Sequence, residues 1–92
     1  RNAPIPVAAA TGPATAVAGD LVLLDGRAST GAMRHRWTQV EGPWVTVEQG
    51  AVGSFVPAVP GVYGFELEVD DGAVRSAPAR VNVVVSQNGT GN

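Results

Sequence analysis

The stretch from Gly61 to Gly72 constrains this chain more than any other: Tyr63, Phe65, Leu67 and Val69 fall on one face of a strand, and Gly64, Glu66, Glu68 and Asp70 on the other. Successive side chains of a strand point to opposite sides of a sheet, so large apolar residues at a period of two need a facing layer to exclude water. Asp71-Gly72 ends the run in a turn. A single sheet cannot bury such a face, and the pattern predicts two packed sheets.

The rest of the chain agrees. Twelve Gly and seven Pro punctuate short Val-rich runs across 92 residues, which disfavours long helices and spaces strands at turn-like intervals. No window sustains a helical period. The length suits one domain with one core. Val and Ala supply most of the apolar content, with five aromatic residues in all, so the core is built from many small contacts.

Composition also excludes chemistry. Cysteine is absent, which removes disulfides, thiolate metal sites and a cysteine nucleophile. The formal charge of −2 lacks the clustered basic residues of a phosphate-binding surface, so no nucleic acid partner is expected. No apolar run approaches the roughly 20 residues that span a bilayer. The absence of Lys beside abundant Ala, Val, Gly and Arg points to a GC-rich bacterial gene. The opening Arg1-Asn2-Ala3-Pro4 has no signal-peptide pattern and reads as a cut from something longer.

Along the chain, residues 4–10 are expected to form an edge strand, because Pro4 and Pro6 lack donors. Residues 14–18 rejoin a sheet, and Leu21 to Gly26 follows with Val22 and Leu24 inward. Met33 to Val40 places Met33, His35 and Trp37 on one face and Arg34, Arg36 and Thr38 on the other, with Trp37 at the centre of the core. In Trp44 to Val47 the inward residues are Val45 and Val47, which leaves Trp44 exposed. Val52 to Val56 centres on Phe55, and Arg80 to Ser86 turns Val81, Val83 and Val85 inward and Asn82 and Val84 outward. Residues 87–92 have no apolar anchor and read as a flexible linker. About seven short strands with an aromatic on the third fit an all-β, immunoglobulin-like antiparallel β-sandwich.

Pro6-Val7-Ala8, Gly19, Leu24-Asp25-Gly26, Ser29, Trp37-Thr38-Gln39, Gly42-Pro43, Phe55-Val56-Pro57 and the strand closed by Gly72 form an ordered set spanning residues 4–86 that resembles a PKD-like domain. The likeness is to the variant with Trp-Thr-Gln before Gly-Pro. It implies an extracellular, non-catalytic spacer or adhesion module of a larger secreted or cell-surface protein, which is an analogy of fold. Many relatives carry an acidic loop between the second and third strands. Here residues Arg27 to Ala32 hold no carboxylate.

The remaining candidates have plainer readings. Asp70-Asp71-Gly72 and Asp25-Gly26 are turn signals more than calcium sites, since calcium takes six to eight oxygens. Glu66 and Glu68 facing Arg34 and Arg36 across neighbouring strands predict ion pairs, each contributing about 0 to 1 kcal/mol. His35 is the sole histidine and has no companions for a zinc site or a triad. The sequon at Asn88 matters only in a eukaryotic secretory pathway. Leu23 and Val84, both outward, would favour a neighbouring domain if they joined in one patch.

The sequence therefore predicts no catalytic residue, metal or cofactor. Its core is Trp37, Phe55, Tyr63, Phe65, Leu67 and Val69, and its one ligand-contact candidate is Trp44. Expected partners are neighbouring domains of the same polypeptide and a polysaccharide or surface protein, with the isolated chain monomeric. The rival reading is a carbohydrate-binding accessory module of a secreted hydrolase, acting through Trp44. As a spacer, the module should have its termini at opposite ends, with the first strand beside the last so that tension loads several hydrogen bonds together.

Overall fold

The computed structural model describes residues 5–87. Its strands are β1 (Thr15–Val17), β2 (Val22–Asp25), β3 (Arg34–Glu41), β4 (Val52–Phe55), β5 (Gly61–Asp70) and β6 (Ala79–Ser86). They form a four-stranded sheet in the order β1-β6-β5-β3 and a two-stranded sheet β2-β4. The fold is an all-β, immunoglobulin-like sandwich. Every pair is antiparallel except β1 with β6, which run parallel from Thr15 opposite Val84 to Val17 opposite Ser86.

Six strands stand where the sequence pattern predicts about seven. Residues 5–10 form no strand, and the segment is tied down by isolated bridges, Val7 with Thr30 and, just beyond, Thr11 with Asp25, and by the Ser29 hydroxyl on the Ala9 backbone. Pro6 is fully buried rather than at an edge, and a proline turned inward has no N–H to extend a ladder. Trp44 to Val47 is extended but unpaired. The Val45 N–H, which a strand partner would take, goes to the Gln39 side chain at 3.0 Å.

The two sheets close on β5. Tyr63, Phe65, Leu67 and Val69 are all fully buried, joined from the larger sheet by Trp37, Val83 and Val85 and from the smaller by Val22, Leu24 and Phe55. Phe55 bridges the layers, its ring centroid 4.6 Å from Phe65 and 5.6 Å from Tyr63. The buried Tyr63 hydroxyl donates to the Val59 carbonyl at 2.6 Å, so its polar tip is satisfied. Each fully buried side chain of this size contributes about 1.5 to 3 kcal/mol. Trp37 is 3% exposed and its Nε1 donates to the Gly50 carbonyl at 2.9 Å.

Met33 lies off this core, 73% exposed, against the expectation that it shares the Trp37 face. It precedes β3, and its N–H donates to the Asp70 carbonyl at the end of β5, where the facing sheet no longer covers it. That end also receives the N-terminal segment, through the Val7–Thr30 bridge and the packing of Pro6 on Gly31. β6 finishes at the other end, where Val85 pairs with Gly61. The described chain therefore enters and leaves the sandwich at opposite ends.

Candidate functional site

With β1, β3 is one of the two edge strands of the larger sheet. Along it runs a groove of about 510 Å³, walled on one side by β3 from His35 to Gln39 and on the other by Trp44 to Val47 and Gln49. Trp44 stands between this groove and a second depression of about 390 Å³ that reaches Leu21, Ser54 and Val56. Its side chain is the most solvent-exposed large hydrophobic group among the described residues, at 82%.

The backbone around Trp44 is nevertheless fixed. Gln39 Nε2 donates to the Pro43 carbonyl at 2.7 Å and to the Glu41 carbonyl at 3.0 Å, while Gln39 Oε1 accepts from the Val45 N–H. One amide thus holds the residues on both sides of the indole. Val45 is buried in the core, and Pro43 packs on the start of β5, where a Cβ at Gly61 would lie 3.3 Å from Pro43 Cδ. The turn before it needs Gly42, whose φ of +98° is left-handed and whose missing Cβ leaves room for the Val62 carbonyl.

The charged candidates arrange differently from the expected pairs. Arg36 lies opposite Glu68 and Arg34 opposite Asp70. Arg34 bridges Asp70 at 3.0 Å, but Glu68 is met by Arg75 at 3.7 Å. Glu66 faces Thr38 and Arg80, and Arg80 reaches past it to Glu41. Among the described residues, Arg36 and Glu66 form no ion pair. Arg75, on the loop between β5 and β6, was not singled out by the sequence pattern because nothing local ties it to Glu68.

The aspartates are spent on turns. Asp71 Oδ1 accepts from the Ala73 and Val74 N–H groups at 2.9 and 2.8 Å, and these bonds hold its carboxyl below the usual range. Asp70 is lowered first by the Gly72 N–H and then by Arg34. Asp25 is lowered to about 2, chiefly by the side-chain hydrogen bonds of Arg27. His35 is half-buried beside Trp37, and among the described residues no group of three or more His, Cys, Asp or Glu gathers to hold a metal. Leu23 and Val84 face away from the core on different sheets, so they do not join in one patch. The sequon and most of the proposed linker lie outside the described residues.

Sequence reasoning missed the two glutamines that build this region. Gln39 sits in the Trp37-Thr38-Gln39 signature, but its partners lie across a turn. Gln49 reaches back 12 residues to Trp37. A glutamine between strands carries no local signal of such a reach.

The arrangement is that of an immunoglobulin-like sandwich with an aromatic-flanked groove along one sheet edge. The solution structure of the PKD domain from KIAA 1837 protein superposes on it with a TM-score of 0.77, covering 100% of this chain and 97% of that one at 23% identity. The chain has the PKD-domain fold. No protein-family model matches the sequence, and no curated protein matches it.

Proposed function

We propose that this chain is a non-catalytic, load-bearing spacer module of a larger secreted or cell-surface protein. The observation that carries the reading is the parallel pairing of β1 with β6, combined with entry and exit at opposite ends of the sandwich. Tension along the chain pulls β1 and β6 in opposite directions along their shared ladder, so the bonds near Ala14–Val84 and Ala18–Ser86 are sheared together. Breaking several hydrogen bonds at once is harder than peeling them singly, although each contributes only about 1 kcal/mol at equilibrium. The relative in the fold is itself a domain of a larger protein, and neighbouring domains of one polypeptide are the partners this geometry serves.

The test is single-molecule pulling on tandem copies of the chain. The expected result is a series of discrete unfolding peaks whose force falls when Ala16 is replaced by Pro, since Pro in β1 disrupts the short ladder without touching β3 or β5. Featureless extension at low force, or peaks indifferent to Ala16→Pro, overturns the proposal.

A further inference from the structure

We propose that the groove along the free edge of β3 binds an acidic polysaccharide, with Trp44 stacking on a pyranose ring and Arg36 pairing with a uronate carboxylate. Two observations meet there.

The first is the presentation of the indole. Trp44 is 82% exposed, yet the Gln39 amide bonds the backbone on both sides of it and Val45 anchors the next residue in the core. With the backbone already ordered, binding costs only the rotation of the indole itself and none of the loop's freedom, which favours affinity from a single aromatic. The groove beside it is not a uniformly apolar slot of the kind that fits a protein side chain. Thr38, Thr46 and Gln49 line it together with Trp44 and Val45, a mixture suited to a ligand with flat C–H faces and a rim of hydroxyls.

The second is the charge of the opposite wall. Arg36 lines this groove and also the adjoining depression that holds Arg34 and Arg75. The register sets Arg36 opposite Glu68, but Arg75 takes that carboxylate, and Arg34 is taken by Asp70. The guanidinium of Arg36 is left without an ion-pair partner among the described residues. Glu66, two residues along β5 from Glu68 and opposite Thr38, offsets part of this charge, so a lone guanidinium and not a basic patch faces the groove. A guanidinium matches a carboxylate by a two-point hydrogen bond.

The experiment uses the full chain in affinity electrophoresis and titration calorimetry against polygalacturonate, with neutral galactan and heparin as comparison polymers. Binding is expected to polygalacturonate, with a blue shift of the exposed Trp fluorescence and weakening at high salt. Trp44→Ala should weaken it at least about tenfold while Trp44→Phe retains part. Arg36→Gln should remove the preference over galactan, and Arg34→Gln should leave it. Circular dichroism of each variant separates lost binding from lost fold. No retention by polygalacturonate, binding indifferent to Trp44→Ala, equal or tighter binding of heparin, or a galactan affinity matching that for polygalacturonate in the parent each overturns the proposal. So does concentration-dependent self-association abolished by Trp44→Ala, which would make the face a contact between copies.

Discussion

The side-chain amide of Gln49 pairs with the backbone of Trp37 in both directions, Oε1 accepting from the Trp37 N–H at 2.7 Å and Nε2 donating to its carbonyl at 2.8 Å. It does for one residue of β3 what a neighbouring strand would do for the whole edge, and it blunts an edge otherwise open to strand addition.

Replacing Gln49 therefore exposes a donor and an acceptor on the strand that carries the central tryptophan. Gln49→Ala is expected to lower stability by about 1 to 2 kcal/mol. Gln49→Glu should lower it further at neutral pH, because a carboxylate cannot donate to the Trp37 carbonyl. Urea unfolding decides this, and a Gln49→Glu protein as stable as the parent would show that the bond donated to the Trp37 carbonyl contributes nothing.

How much of this was legible in the sequence follows from where each signal lies. β5 is readable because its period of two coincides with one fully buried face, and β6 follows the same rule through Val83 and Val85. Residues 5–10 were misread because Ile5-Pro6-Val7 and the run Ala8-Ala9-Ala10 show no distinct apolar face, and Pro6 turns inward. In Trp44 to Val47 the inward sense of Val45 and Val47 holds while the strand does not, since side-chain burial and ladder bonding are separate properties. The Gln39 and Gln49 clamps had no sequence signal, as their partners are backbone groups brought near only by the fold.

Acidification should destabilise the protein below about pH 4. Asp25, Asp70 and Asp71 all have folded pKa values lowered from the usual carboxylate range, Asp25 to about 2. The folded state thus binds these protons less readily than the unfolded chain. Their contribution is fully present above the unfolded carboxylate range, near 3.9, and is lost as pH falls through the lowered values. Thermal melts should be flat from about pH 7 to pH 5 and drop between about pH 4 and pH 2. Asp71→Asn should shallow that drop, and a midpoint that rises on acidification would contradict the assignment.

Calcium should leave the melting midpoint unmoved. Asp71 Oδ1 already accepts two backbone N–H groups, and Asp70 Oδ1 accepts from Gly72 and Arg34. A cation would have to displace these bonds and still find several further oxygens. Melts in excess calcium and in chelator should agree to within about one degree. A larger shift removed by Asp71→Asn would reveal a site that the turn geometry conceals.

The indole of Trp37 and the backbone of Gly53 should be energetically coupled. A Cβ at Gly53 would lie 2.8 Å from Trp37 Cδ1 and 2.9 Å from Nε1, closer than carbon atoms pack, so the small residue is what lets β4 lie flat on the ring. The benzene part of the same indole meets Gly26, where a Cβ would approach Trp37 Cζ2 at 3.2 Å. Trp37→Ala empties this space and is expected to cost about 3 to 5 kcal/mol, whereas Trp44→Ala should stay within about 0.5 kcal/mol of the parent. Gly53→Ala overfills the space and should cost about 1 to 3 kcal/mol. In a Trp37→Phe background the smaller ring has room to yield, so Gly53→Ala should cost at least about 0.5 kcal/mol less there. In a Trp44→Phe background its cost should be unchanged. Denaturant unfolding of the two double-mutant cycles measures both, and strict additivity with Trp37→Phe would mean that the added methyl is absorbed elsewhere and the glycine does not serve the indole.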